Sequence, residues 1–387
     1  MCAYRVISGD GHIEIPAGRL ASYIPQQYAD KVPELVTKSD GTHWWRMDEW
    51  ERNCVGPLVG ELSYDEFVPP LGARYTNFDG SWRPGTGDAV QRLREQDLDG
   101  VDAEILFPPA YMGAFIRLLA TKDVEAYKAI VKGFNTFLAT EYCSVAPDRL
   151  IGNAMVLETG VDDAIEEMRR CKELGLRAVN LRLWPNGGDD FSPEDDRFFA
   201  AALDMDMKVA AHGFFGGKAI VQQQINVDNS FIFRKGANGG SRVMESIGDL
   251  IFHGVFDRYP DLKIYFAETQ AGWLPHSLNW SDEYFLRWYS YHDISLDRLP
   301  SEYVRDHCRF SFITDRLAMK FRYFIGLDLL IWGSDFPHSV GTFPHSQEVI
   351  DELFEDVPEN ERYQVLVENA CEFYGLDPKQ QLTPTPA

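Results

Sequence analysis

Six side chains of this sequence are of the kinds that hold metal ions. Asp10, His12 and Glu14 lie near the start, His212 and Glu268 in the middle, and Asp335 late. The first three alternate, and extended chain projects residues i, i+2 and i+4 to one face. His212 ends the apolar run Val209-Ala210-Ala211, and Glu268 ends Ile264-Tyr265-Phe266-Ala267. A carboxylate at the end of an apolar strand requires a charged or hydrogen-bonding partner, and a metal ion or a general-base role would meet that need. Asp335 follows Ile331-Trp332-Gly333-Ser334, which places it for ligation or direct proton transfer; His338, three residues on, suits a proton donor, a substrate contact or a further ligand. The plainer alternatives are a polar turn around Asp10, a solvated Glu14 and a core histidine at 212. Two imidazoles with four carboxylates suit a pair of redox metals. One divalent cation facing four carboxylates leaves about two excess negative charges in a poorly solvated pocket, whereas two cations balance them. Hard oxygen donors favour iron or manganese over zinc.

No short stretch contains all six residues, so a closed architecture must assemble them. Strand-like runs occur at 4–8, 101–107, 150–156, 178–183, 208–211, 263–268, 309–313 and 330–333. Helical patterns fill most of the gaps, at 88–97, 124–142, 162–174, 193–205, 241–256, 274–288, 349–354 and 361–374. Eight strands separated by crossovers predict an α/β fold, a (β/α)8 TIM barrel, with ligands at the strand ends. Ser8-Gly9-Asp10-Gly11-His12 is not a dinucleotide-binding glycine turn. A long insertion after strand one, about 40–87, is rich in Trp, Tyr, Gly and Pro, and a second long loop covers 214–241; both are expected to shape the pocket. The chain reads as a single domain over 1–379 with a disordered tail at 380–387.

The chain has 387 residues and a formal charge of -23, which disfavours nucleic acid and anionic lipid as partners. Hydrophobic content of 45% supplies a large core. The six cysteines show neither disulfide-framework, zinc-ribbon nor iron–sulfur spacing, and no signal peptide or membrane span is visible, so a cytoplasmic location is expected.

Asp10-Gly11-His12, His212, the run from Phe266 to Pro275 and Trp332-Gly333-Ser334-Asp335-Phe336-Pro337-His338 resemble the amidohydrolase superfamily, in its amidohydrolase-related TIM-barrel branch of metal-dependent decarboxylases and hydrolases. The segment 83–109 is similar as well. The resemblance implies Asp10, His12, His212 and Asp335 as ligands of a divalent ion. Two departures stand out. Decarboxylases of the branch carry a catalytic histidine at the end of strand six, where this chain has Glu268. The carbamylated lysine of binuclear relatives is absent from Val179-Asn180-Leu181-Arg182-Leu183. The DGHxE pattern with Glu268 is similar to a small group of non-heme dinuclear monooxygenases on the same barrel.

The expectation is therefore a dinuclear iron (or iron–manganese) monooxygenase that hydroxylates a small organic acid or its thioester. Asp10, His12, His212 and Asp335 would hold one ion, and Glu14 and Glu268 would hold or bridge to the second; Asp335, Glu268 and His338 would do the proton chemistry. Without a dinucleotide motif or iron–sulfur cysteines, a separate reductase or electron carrier would supply electrons. The resemblance further implies a homo-oligomer or an oligomer with a related subunit. The alternative is a mononuclear zinc or manganese hydrolase or decarboxylase, in which Asp335 moves a proton and Glu268 orients the substrate. A metal-binding subunit without activity is a third reading.

Overall fold

A computed structural model describes residues 3–15, 18–39, 43–47, 50–53, 85–109, 112, 119–216, 240–292, 294–338 and 340–386. Strand β1 (Ile7–His12) opens a parallel series. Strands β2 (Glu34–Thr37), β3 (His43–Met47) and β4 (Trp50–Asn53) pair antiparallel as a separate small sheet. The series continues with β5 (Ala103–Phe107), β6 (Leu150–Met155), β7 (Ala178–Leu181), β8 (Lys208–His212), β9 (Ile264–Ala267), β10 (Cys308–Phe312) and β11 (Leu330–Trp332). These eight strands hydrogen-bond in the order β1-β5-β6-β7-β8-β9-β10-β11. The ends meet where Gly11 bridges in parallel to Phe336, just past β11. The architecture is the (β/α)8 barrel expected from the alternation.

The strands read as near-continuous apolar runs because barrel strands are buried on both faces, by the interior and by the helix ring. Every residue of β5, β6 and β10 is buried. Tyr265 of β9 crosses the interior and donates its hydroxyl to the Gly9 carbonyl at 2.7 Å. The helices begin and end where their caps dictate. Asp88 accepts from the Gln91 amide at the start of Ala89–Asp99, and Gly100 ends that helix at φ +72°. Asp123 accepts from Ala126 at the start of Val124–Phe137. One hydrophobic cluster joins the barrel interior to the ring.

Three features depart from the expectation. Strand one begins at Ile7 and runs through the Asp10-Gly11-His12 motif instead of stopping at Ser8. A register shift between Ser8 and Gly11 allows this, since the bulge lets the strand stay paired with β5 while re-aiming its side chains. The helix Pro300–His307 and the sheet of β2 to β4 were not foreseen, and the latter uses part of the expected insertion; 54–84 lie outside the described residues. The tail is held rather than disordered. Thr383 donates its amide and hydroxyl to Asp148 at 2.5 and 2.6 Å, and Thr385 accepts from Arg149 at 2.9 Å and donates to Asp97 at 2.5 Å.

The seam between β1 and β11 tolerates no side chain at 333. A Cβ on Gly333 would lie 2.7 Å from the Asp10 Cβ and 2.9 Å from its backbone nitrogen. Gly333→Ala is therefore expected to destabilise the metal-free protein by about 1–3 kcal/mol through overpacking. Urea unfolding followed by circular dichroism would show a lower midpoint at unchanged slope; an unmoved midpoint would contradict the close seam.

Candidate metal centre

The C-terminal ends of β1, β8 and β11 bring four side chains to one point. Asp10 and His12 stand at the end of β1, His212 closes β8, and Asp335 lies three residues past β11. The ligand atoms of these four lie within 4.8 Å of one another, and no other group of the described residues offers such a cluster. His12 Nε2 is 3.2 Å from Asp335 Oδ1 and 3.7 Å from Asp10 Oδ1, and His212 Nε2 is 3.4 Å from Asp10 Oδ1.

Backbone geometry holds this arrangement. The Asp335 amide donates to the Asp10 carbonyl at 2.8 Å and the His12 amide to the Phe336 carbonyl at 2.7 Å. Asp335 sits at φ +53° and Glu268 at φ +52°. Non-glycine residues in the left-handed region cost about 1–3 kcal/mol and concentrate at functional sites. The Glu268 amide donates to Ser311 Oγ at 2.8 Å, which anchors that turn. His12 Nδ1 faces the Pro108 carbonyl at 3.4 Å, so a proton on Nδ1 leaves the Nε2 lone pair for the cluster.

The cluster is short of partners. Both carboxylate oxygens of Asp10, Nε2 of His12 and of His212, and Oδ2 of Asp335 are buried with no hydrogen bond among the described residues. Each such orphaned group costs about 1–3 kcal/mol, more when charged. A divalent cation would satisfy all of them at once. Two carboxylates and two imidazoles form a donor set that manganese, iron or zinc accepts.

Burial raises the Asp10 carboxyl to about 6, against the opposing pull of His212. Burial, with His338 and His212 nearby, lowers His12 to about 3, so its imidazole is neutral and ready to ligate. Burial would also lower His212, but Asp10, Glu268 and Asp335 outweigh it and raise its pKa. Burial would raise the Asp335 carboxyl, but His338 and His12 hold it well below the usual carboxylate range. His338 Nδ1 lies 3.1 Å from Asp335 Oδ1, and its ring stacks on His12 at 3.9 Å. Burial would lower His338; Asp335, with Glu268 and Glu14, instead lifts it to about 9.

Glu14 and Glu268 stand outside the four-donor group. Glu14 is buried past the end of β1, where its charge acts on His338. Glu268 Oε2 approaches His212 Nε2 at 3.6 Å, and its side chain is 26% exposed. Two features bear on the charge of the site: Asp335 lifts the pKa of His338, and the Glu268 side chain is 26% exposed to water. Sequence reasoning also passed over the buried ion pair of Arg92 with Glu104 behind the seam. Its signal was a carboxylate inside the apolar run Ala103-Glu104-Ile105-Leu106-Phe107. Most of the loop after His212, 217–239, is outside the described residues.

A sequence model of the family described as Amidohydrolase matches residues 42–376. The 2-amino-3-carboxymuconate-6-semialdehyde decarboxylase of Dictyostelium discoideum is 27% identical over 301 residues, covering 76% of this chain and 79% of that one. An amidohydrolase from Mycobacterium avium subsp. paratuberculosis superposes with a TM-score of 0.71 at 17% identity, over 97% of this chain and 99% of that one. The 5-carboxyvanillate decarboxylase of Novosphingobium aromaticivorans, crystallised with manganese and 4-hydroxy-3-methoxy-5-nitrobenzoic acid, gives 0.65 at 16% identity, over 96% of each chain. Among the described residues no helix is long and apolar enough to cross a membrane.

Toward acid pH an entering cation must displace protons from Asp10 and His212, whose pKa values are both raised. Manganese affinity, measured by titration calorimetry on metal-free protein, is therefore expected to climb as pH rises from 5 to 8. Below about 6, where Asp10 also carries its proton, each pH unit costs at least about tenfold. An affinity constant across that range would contradict ligation through these groups.

Proposed function

The chain belongs to the amidohydrolase family, and on that premise we propose that it is a non-oxidative decarboxylase that uses one divalent cation, preferably manganese, on a small aromatic or unsaturated carboxylic acid. The observation that carries this reading is the convergence of Asp10, His12, His212 and Asp335 into one partner-starved cluster without Glu14 and Glu268. The names of the relatives, two of them decarboxylases and one crystallised with manganese, supply the reaction class and the ion. The two-ion monooxygenase needed both glutamates as ligands, and no comparison lends it support. The non-redox alternative is preferred, and it requires no reductase.

Asp10, His12, His212 and Asp335 would hold the ion. When bound, it would supply positive charge that fixes a substrate oxygen and draws electron density from the carbon bearing the carboxylate. The protein's own groups manage the proton. His338, held by Asp335 and stacked on His12, carries a proton at neutral pH and lies beside the cluster. As the bond to the carboxylate carbon breaks, carbon dioxide departs and the electron pair stays on the substrate carbon. That carbon takes the His338 proton. Glu268, partly open to solvent and within the field of His338, returns a proton from water. This assignment fills the role of the histidine that the resemblance placed at the end of strand six, where Glu268 stands instead.

A panel of hydroxybenzoic and dienoic acids assayed for carbon dioxide release tests the reading. Turnover is expected to be equal with and without oxygen. His338→Gln should lower kcat by about 10²–10⁴-fold, the usual range for loss of a general acid, while manganese affinity stays within a few-fold. Oxygen consumption coupled to a hydroxylated product, or a full-speed His338→Gln variant, would overturn it.

A further inference from the structure

Behind the β1–β11 seam lies a buried ion pair that the proposed reaction does not use. Arg92, on the helix Ala89–Asp99, is 1% exposed and Glu104 of β5 is 2% exposed. Arg92 Nε donates to Glu104 Oε2 at 2.6 Å and Nη2 to Oε1 at 3.1 Å, a two-pronged grip. Gln96 donates to the same carboxylate at 2.7 Å. The guanidinium also reaches forward. Arg92 Nη2 donates to the Phe336 carbonyl at 3.0 Å, and its Cζ lies 4.2 Å above the Phe336 ring. That carbonyl is the one that accepts from the His12 amide at 2.7 Å. A Cβ placed on Gly11 would sit 3.1 Å from both Arg92 Nη2 and Glu104 Oε1, so the pair backs directly onto the strand between Asp10 and His12.

One carbonyl oxygen thus joins the residue after Asp335, the backbone of His12 and the Arg92 side chain. A buried pair of this kind adds little net stability, because the desolvation of both charges offsets their attraction. Its placement fits another task. We propose that Arg92, locked by Glu104, is a positioning residue that sets cation affinity by fixing the distance between the Asp10–His12 segment and Asp335. This inference rests on the reading of the four-donor cluster as a cation site.

The test exploits the energetics of buried pairs. Replacing both partners by apolar side chains of similar volume is often neutral or stabilising, whereas removing one leaves an unpaired charge. R92M/E104M is therefore expected to unfold in urea at or above the wild-type midpoint without metal, yet to bind Mn²⁺ about 10–100-fold more weakly, the usual loss when support behind a ligand is removed. Arg92→Lys keeps the charge opposite Glu104 but cannot grip it and the Phe336 carbonyl together. Its affinity should fall by about tenfold, and it decides the matter if the double variant does not fold. Wild-type Mn²⁺ affinity in either variant would overturn the inference. Failure of the wild type itself to bind Mn²⁺ would instead overturn the cation site on which it rests.

Discussion

Closure of the barrel and assembly of the metal centre are one event. Two backbone hydrogen bonds, Asp335 to Asp10 and His12 to Phe336, tie the first strand to the segment past the last. The same residues carry three of the four clustered donors. Asp10 and Asp335 are more than 300 positions apart in the chain, yet their carboxylates meet because the final strand has no other edge to pair with. Gly9 and Gly333 permit this approach, since a Cβ at either would penetrate the opposite strand. The left-handed backbone of Asp335 is tolerated because bonds on both sides of it hold the turn.

The electrostatics follow from that geometry. Burial and the neighbouring charges set the protonation states apart: His12 is driven neutral, Asp335 is held ionised, Asp10 is raised to about 6, and His212 is raised as well. His338 stands at the edge of this set, where the Asp335 charge keeps it protonated. In the proposed reaction a proton donor and a Lewis-acid site would share one carboxylate, that of Asp335.

Much of this was legible in the sequence, and for identifiable reasons. Barrel strands are buried on both faces, so their apolar runs stand out, and each of the eight was located to within a few residues. The candidate residues were visible because His212, Glu268 and Asp335 are polar residues at or just past the ends of such runs. Other features have no local signature. Gly9 lies within the register shift of β1, and its close approach to Ile331 and Tyr265, hundreds of residues away in the chain, cannot be read from neighbouring residues. Which of the six candidates gather is set by the tertiary geometry, which residue types do not reveal: Asp10, His12, His212 and Asp335 share one cluster, and Glu14 and Glu268 stand beside it. Glu14 follows the alternation of its strand in sequence, but β1 ends at His12, and past that point alternation no longer dictates direction. The polar tail gave no hint that Thr383 and Thr385 would bond to Asp148 and to Arg149 and Asp97.

The account stands on a single cation balancing Asp10 and Asp335 between two imidazoles. Elemental analysis of protein reconstituted with excess manganese and then desalted addresses it most directly. One ion per chain is the predicted result. Two ions per chain, or none, would contradict it.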